Sequence, residues 1–269
     1  ITAAATQLFL ANHIAINFQR GMNDVQANGR FALDQIMRDI RLAGLDHAAA
    51  IGAVGGGTGT GSLSPLVLSA AQMPGLTANS TAVSADDGQS AGISSSDQIV
   101  LQYLALANTE DCEGNTVDKD KYVVARYYIG QDAANNNVPS LMCDGGYHTA
   151  STATAPTDVG STGVVLVNGV DSFQVLYGID DGLNGKAQVS RYVTATAYNA
   201  LSGTKPPILS VRLGMYLRSQ ERAGDAAPSA NAVQVLDKSI AATAIPDDGL
   251  LRRLFVTTVS LRNVDLSRI

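Results

Sequence analysis

The first 44 residues carry the clearest hydrophobic periodicity in the chain. From Phe18 onward, apolar side chains recur at steps of three and four residues, which predicts a helix with one buried face. Gly44 is expected to end this helix, because glycine readily adopts the left-handed conformation that often follows a helix C-terminus. We expect the buried face to form the core between helix and sheet through Phe18, Met22, Val25, Leu33, Ile36 and Ile40.

The earlier part of this helix has apolar side chains on several sides. A helix of about 44 residues would be about 65 Å long, whereas a compact fold of this size has a diameter of roughly 45–50 Å. We therefore predict that residues 1–20 project from the fold and that residues 21–269 form one globular domain, which includes the second half of the helix. The projecting apolar side chains predicted to pack against partner helices are Leu8, Phe9, Leu10, Ile14 and Ile16.

The projecting segment is a poor candidate for a membrane span. It has no charged side chain before Arg20, but Gln7, Asn12 and His13 interrupt the apolar run that a span requires. The chain begins at Ile1 without a methionine, and we expect that a more hydrophobic N-terminal segment was removed, by processing or by the choice of chain boundaries. Contact with a membrane is then expected only through that missing segment.

Apolar and β-branched runs predict strands over most of the remaining chain. Pro207 to Arg218 alternates between apolar and polar side chains, as expected for a half-buried antiparallel strand. Strands are also predicted at 97–106, 121–129, 140–143, 164–179 and 254–261, with shorter ones at 65–69 and 233–236 and a strand or short helix at 188–197. Long loops are expected at 48–64, 73–96 and 223–248. This pattern predicts an α+β fold of the pilin type, with a long N-terminal helix packed on antiparallel sheet.

Composition narrows the possible functions. The 269 residues carry a net charge of -6 and contain no run rich in lysine or arginine. Nucleic-acid binding depends largely on neutralising phosphates with such residues. The acidic balance therefore argues against a nucleic-acid partner.

The two cysteines, Cys112 and Cys143, lie in polar surroundings next to Asp111, Glu113 and Asp144. Buried free thiols usually occupy apolar surroundings, so a disulfide is favoured over two free thiols. Such a bond predicts an oxidising compartment, the periplasm or beyond. A metal site is disfavoured because there is no CxxC motif and no nearby histidine.

No motif indicates catalysis or a cofactor. The three histidines are scattered, and neither GxSxG nor HExxH occurs, so we predict a protein that is not an enzyme. The glycine-rich stretch at 48–64 lacks the Gly-Lys-Ser/Thr of a phosphate-binding loop, which favours a flexible surface loop.

Acidic residues and tyrosines are the remaining candidates for binding chemistry. Two groups could offer oxygen ligands to calcium, but neither matches an EF-hand loop, and solvated acidic turns are commoner. These groups are Asp111, Glu113, Asp118 and Asp120, and Asp180, Asp181 and Asn184. Tyr122, Tyr127 and Tyr128 could form a carbohydrate-binding surface, although strand tyrosines are more often half-buried.

Three segments together resemble one family. They are NGRFALDQIMRDIRLAG at 28–44, LVNGVDSFQVLYGID at 166–180 and LRRLFVTTVSLRN at 251–263. They look like the corresponding parts of the PilW family of minor pilins of bacterial type IV pili, and the paired cysteines also fit. The short basic leader, the processing glycine and the Phe-Thr-Leu-Ile-Glu run of that family are absent from this sequence.

The resemblance implies a prepilin that a dedicated peptidase cleaves and N-methylates. Its N-terminal helix would hold it in the bacterial inner membrane, with the domain in the periplasm, before it enters the extracellular pilus tip. There it would prime pilus assembly with other minor pilins and the major pilin, and would support a large tip adhesin. Adhesion and twitching motility would follow from that position, and no active site is required.

Two alternatives remain open at this point. A GspJ-like minor pseudopilin of a type II secretion system would use the same helix and sheet, and would also pack its helix against sibling helices. An extracellular adhesive module tethered by its helix is the more distant alternative.

Overall fold

The computed structural model describes residues 2–45, 64–73, 75–77, 81–149, 156–182, 188–223 and 231–263. The predicted N-terminal helix is present as α1, which spans Thr2–Leu42. The predicted loop at 48–64 lies outside the described residues except for Ser64, and so does the segment 224–230.

The C-terminal end of α1 is fixed by two separate parts of the chain. Gly44 has a φ of 75°, a left-handed conformation that glycine tolerates, and its N–H donates to the carbonyl of Gln102 at 3.0 Å. The side-chain amide of Asn263 lies 3.2–3.4 Å from the carbonyl oxygens of Arg41, Leu42 and Ala43. These carbonyls have no partner within the helix, so Asn263 supplies the cap.

Strands make up most of the remaining fold. They are β1 (Ala85–Gln89), β2 (Ser96–Leu104), β3 (Thr109–Glu110), β4 (Thr116–Val117), β5 (Tyr122–Asp132), β6 (Val138–His148), β7 (Val164–Asn168), β8 (Val170–Ile179), β9 (Arg191–Val193), β10 (Ile208–Arg222), β11 (Val233–Val235), β12 (Lys238–Ile240) and β13 (Leu250–Ser260). A short helix, α2 (Ala195–Asn199), follows β9.

Two antiparallel sheets form the body of the domain. The first, sheet 1, has the order β1-β2-β5-β6-β7, and the second, sheet 2, has the order β13-β10-β8-β9. Helix α1 packs mainly on β10 and β13 of sheet 2. One buried core joins α1 and both sheets, and its members include Ile36, Ile40, Leu101, Tyr127, Phe173 and Leu213.

The α+β prediction is confirmed, and the structure adds four corrections to the predicted elements. The predicted loop at 73–96 contains β1, and the short strands β3, β4 and β12 were not predicted. The predicted strand at 65–69 is only an isolated bridge between Leu66 and Leu101. The 188–197 segment holds both a strand and the start of a helix, so the two alternatives for it occur in succession.

The fourth correction concerns β10, which was expected to be half-buried. Its second face is covered locally, because Tyr216 packs with Val235, Ile240 and Ile245 from the β11–β12 region. Sheet 1 is covered in the same way where Val67 and Met73 pack on Val100 and Val124. The sheets therefore have buried side chains on both faces over much of their length.

Two glycines let α1 approach sheet 2 closely. A Cβ atom on Gly29 would lie 2.6 Å from the ring of Phe255, and one on Gly21 would lie 3.1 Å from Cδ1 of Leu251. The close neighbour of Gly29 is thus an aromatic side chain on β13. Glycine at position 29 lowers the stability of the helix, but its missing side chain leaves the space that the Phe255 ring occupies.

Sheet 1 seals an open edge of sheet 2. The strand β9 pairs with β8 only from Tyr177 to Ile179, so the earlier N–H groups along that edge need other partners. Phe173 N–H donates to Oγ of Ser96 at 3.1 Å, and Val175 N–H donates to Oδ2 of Asp97 at 2.8 Å. The side chains at the start of β2 therefore take the place of a fifth strand.

Asp97 is buried at this junction, and burial is the largest influence on its pKa. Desolvation raises the pKa of Asp97 to about 7, with smaller contributions from the charges of Asp86 and Asp237. The backbone N–H groups of Asp87 and Val175 donate hydrogen bonds to its carboxyl group, and these bonds lower the pKa. The junction thus contains a carboxyl group whose protonation changes near neutral pH.

We predict that Gly29→Ala destabilises the domain. Forcing a methyl group against the Phe255 ring costs about 1–3 kcal/mol, and the better helix propensity of alanine offsets about 1 kcal/mol of that cost. Thermal or denaturant unfolding should therefore show a net loss of about 1 kcal/mol. Adding Phe255→Leu to Gly29→Ala should remove most of this loss, because the smaller side chain relieves the overlap.

Gly21→Ala is the matched control for this change. Its nearest contact is the end of a flexible leucine side chain, so the gain in helix propensity should leave stability unchanged or slightly increased. If Gly29→Ala is at least as stable as Gly21→Ala, the Phe255 ring does not constrain the helix as described.

We predict a second effect, which depends on pH. Because the folded-state pKa of Asp97 is raised, its contribution to stability is fully present below the unfolded-state pKa near 4 and is lost as pH rises through about 7. The unfolding free energy of the wild type relative to Asp97→Asn should therefore fall between pH 5 and pH 8. Denaturant titrations at several pH values measure this difference, with exposed Asp34→Asn as the control. A difference that stays constant over this range would contradict the prediction.

Candidate functional site

The exposure of α1 changes at Gly21. Described side chains before that residue are exposed or half-buried, whereas Val25, Ala32, Ile36 and Ile40 after it are buried. Large apolar side chains are among the exposed ones: Phe9 is 68% exposed, Ile14 42% and Ile16 48%. The domain thus covers only the C-terminal half of the helix.

The exposed apolar side chains do not share one face. At about 100° per residue, Phe9 and Ile16 lie within about 20° of each other around the helix, while Ile14 lies about 160° from Ile16. Phe31, which is 55% exposed, lies about 60° from Ile16 and faces away from sheet 2. We call Phe9, Ile16 and Phe31 the outer stripe of α1.

Phe31 is not among the residues that the sequence predicts to contact partner helices. Its neighbours Arg30 and Asp34 are charged and exposed, and the apolar period that marks the core passes through Ala32 and Ile36. An aromatic side chain outside that period, between charged ones, was the available signal.

Other predicted helix residues divide into three groups. Val25, Leu33, Ile36 and Ile40 are buried. Phe18 and Met22 are only half-buried, because sheet 2 ends near Gly21, where the helix meets Leu251 and Ser219. The side chains of Leu8 and Leu10 lie outside the described residues, so their predicted packing stays a prediction.

A polar cleft lies beside the buried half of α1. It has a volume of about 410 Å³, and its walls include Gln35, Arg38 and Asp39 from α1 and Tyr103 from the end of β2. The opposite wall is the 108–116 segment, which contains the β3–β4 hairpin and Cys112.

The disulfide holds this wall in place. Cys112 and Cys143 are bonded, with their Cα atoms 6.1 Å apart, so the predicted pair is present. Cys143 is fully buried on β6, which anchors the hairpin to sheet 1. Asp111, next to the bridge, accepts hydrogen bonds at 2.9 Å from the N–H groups of Glu113 and Asn115.

Asp39 is a buried carboxyl group in the lining of the cleft. The hydroxyl of Tyr127 donates to its Oδ2 at 2.5 Å. Desolvation raises the pKa of Asp39, although the Tyr127 hydrogen bond and the nearby Arg38 lower it. Burial and the charge of Asp39 raise the pKa of Tyr127 well above its usual value, so this hydroxyl stays protonated.

Tyr103 also lines the cleft and is only 7% exposed. Burial raises the pKa of its hydroxyl, and the charges of Asp39 and Asp111 raise it further. No hydrogen bond of this hydroxyl occurs among the described residues, which makes it an available donor and acceptor.

Several of the acidic side chains considered for calcium bond to other groups of the protein. Glu113 accepts from the N–H of Gly145, and Asp118 pairs with Lys121 at 2.8 Å. Asp180 accepts from the N–H of Gly182, and Asn184 lies outside the described residues. Across the part of the chain that the structure describes, no group of three or more His, Cys, Asp or Glu side chains could hold a metal ion.

The strand tyrosines do not form a binding surface. Tyr122, Tyr127 and Tyr128 are all buried, so the carbohydrate-binding alternative for them is wrong. Tyr127 bonds to Asp39, and Tyr128 donates to the carbonyl of Thr162.

None of the described helices combines the length and apolar character needed to cross a bilayer.

Comparisons with known proteins show which family the sequence matches. A family model described as Type IV Pilus-assembly protein W matches residues 126–263, slightly more than half of the chain, from β5 to the Asn263 cap. Among solved structures, a type IV-like pilin from Thermus thermophilus is 18% identical, with a TM-score of 0.35. The similarity covers 62% of this chain and 79% of that one. No curated protein matches the sequence.

We predict that the disulfide makes a large contribution to stability. The cysteines are 31 positions apart, and closing a loop of that length is worth about 3–4 kcal/mol in the chain-entropy model. The double variant Cys112→Ser/Cys143→Ser should lose a large part of that amount in denaturant unfolding. Treating the wild type with a reductant should lower its stability similarly, while the double variant should not respond.

Proposed function

The chain belongs to the PilW family of type IV pilus-assembly proteins, and on that premise we propose that it is a minor pilin that joins sibling subunits through α1. The observation that carries this proposal is the set of exposed apolar side chains before Gly21. Burying a side chain such as Phe9 or Ile16 is worth about 1.5–3 kcal/mol. These side chains therefore favour a state in which other surfaces cover them.

The arrangement around the helix supports more than one neighbour. Ile14 lies on the opposite side of α1 from Ile16, so a single partner helix could not cover both. A bundle of pilin helices would cover both sides. We propose that other minor pilins and the major pilin supply these helices.

We further propose that the subunit primes pilus assembly and belongs to the tip complex. In that position, the domain from residue 21 onward would face other minor pilins or a large tip adhesin, and residues 1–20 would lie among subunit helices. The role is structural, and nothing in it requires catalysis. As part of the type IV pilus system, the protein belongs to the cell envelope or the pilus, and its maturation would include the leader cleavage and N-methylation typical of prepilins.

The family match favours a pilus over a type II secretion system, because the matching family is defined by pilus assembly. A pseudopilin would bury the same helix side chains. The proteins that co-purify with the subunit therefore distinguish these two systems.

The proposal predicts that Phe9→Asp and Ile16→Asp impair assembly without unfolding the domain. Each change places a charge where an apolar contact is expected, but the side chain contacts little of its own domain. The measurement uses the full-length protein in cells, with co-purification of the other minor pilins and counts of surface pili. Both should fall strongly, while the melting temperature of the domain stays close to that of the wild type.

Asn12→Asp is the matched control, because it adds the same charge at an exposed polar position of the same helix segment. It should retain most partner binding and piliation. If Phe9→Asp and Ile16→Asp behave like Asn12→Asp, the exposed apolar side chains are not the contact surface.

A further inference from the structure

The cleft beside α1 has more negative than positive charge. Its lining includes three carboxylates, those of Asp39, Glu110 and Asp111, and one guanidinium, that of Arg38. Asp39 is 5% exposed, and only its Oδ2 is hydrogen-bonded, to Tyr127. Oδ1 has no partner among the described residues and is not sealed from solvent. A buried carboxylate with a free oxygen is stabilised by a cation that reaches it.

Tyr103 gives an independent indication of a ligand. Its side chain is more than nine-tenths buried, it lines the cleft, and its hydroxyl has no partner among the described residues. The hydroxyl oxygen is not among the sealed, unpartnered atoms of the described residues, so it is open to the cleft and can bond to an incoming polar group. The charges of Asp39, Arg38 and Asp111 all act on this hydroxyl, which places it among the charged side chains of the cleft.

The size of the cleft favours an organic cation over a metal ion. About 410 Å³ lies within the range of small-molecule sites and far exceeds the space around a bare ion. The described acidic side chains also fail to converge as metal ligands. A guanidinium or alkylammonium group instead carries several N–H donors, which suit the carboxylate and hydroxyl acceptors here.

Position on the helix indicates where that cation comes from. Gln35 and Arg38 lie four and seven residues after Phe31, and therefore on neighbouring turns near the same side of α1. A subunit packed along the outer stripe at Phe31 would pass the mouth of the cleft. We infer that the cleft receives a basic side chain, arginine or lysine, from a neighbouring protein subunit.

The choice of a subunit as the source rests on the proposed pilin function, whereas the cation chemistry rests on the cleft alone. Binding of small probes to the purified chain tests the chemistry without requiring pilus assembly. Failure of this test therefore differs from failure of the assembly test above.

The experiment titrates the purified chain with blocked arginine amide, with blocked citrulline amide as its neutral isostere, and with agmatine as a free cation. Amide and tyrosine NMR shifts report the binding. Blocked arginine amide should shift residues around Tyr103 and Glu110 saturably, and the citrulline compound should not. Blocked lysine amide should give a similar pattern.

Four variants locate the site. Asp39→Asn should weaken binding about tenfold or more, because it removes a charge-assisted contact. Tyr103→Phe should weaken it about fivefold while leaving stability intact, since the hydroxyl has no protein partner to lose. Arg38→Gln should tighten binding by removing the one positive charge, a gain that a purely structural role would not produce. Asp118→Asn, which removes an acidic charge outside the cleft, should leave binding unchanged.

The outcomes separate the possibilities. Equal binding of the arginine and citrulline compounds, or shifts outside the cleft, would overturn the cation site. Binding of agmatine without binding of either blocked amino acid would overturn a protein side chain as the source. If Asp39→Asn fails to fold, the opposite effects of Tyr103→Phe and Arg38→Gln still decide the question.

Discussion

The contact between the second half of α1 and sheet 2 determines the rest of this structure. The helix spans 41 residues, about 60 Å at 1.5 Å per residue, and the sheet supports it only from about Gly21 onward. Gly29 leaves room for the Phe255 ring, and Asn263, three residues after the strand that carries this ring, caps the last turn. The helix direction is therefore set at both ends of the contact, and the first half must extend beyond the sheet.

A second set of contacts joins the two sheets. The start of β2 covers the open edge of β8, where Ser96 and Asp97 accept its N–H groups. Sheet 1 then reaches the helix through Tyr127, whose hydroxyl bonds to Asp39. The core is continuous through these polar contacts, and this continuity explains why several buried charges lie between the layers.

Elements with their own hydrophobic pattern could be predicted from the sequence. The 3.6-residue period of α1 and the β-branched runs of β2, β5, β8, β10 and β13 are local signals, and the structure contains each of these elements. The strand β1 has the sequence ADDGQ, without a branched or aromatic residue, and it forms because β2 offers a partner backbone. Such pairing cannot be seen in a local pattern.

Of the two candidate sites, one could be predicted from the sequence and the other could not. The exposed apolar side chains before Gly21 followed from the length of the helix, since no compact domain could cover all of it. The cleft could not be predicted, because Asp39 and Tyr127 are 88 positions apart and only tertiary packing brings them together. The two cysteines were the one sequence feature near the cleft that could be interpreted. They indicated a disulfide, but not the cleft beside it.

One helix carries both candidate surfaces, and they would contribute differently to the same encounter. The apolar side chains of the outer stripe are non-directional, so they favour association without fixing how far one subunit slides along another. A basic side chain that must reach Asp39 and Tyr103 can enter the cleft at only one offset, because Asp39 lies on the buried half of α1 and bonds to Tyr127, while Tyr103 lies on buried β2. Charged contacts commonly set register and partner choice, while apolar burial supplies affinity. The apolar stripe would therefore favour packing against many pilin helices, and the cleft would select the neighbour and the register.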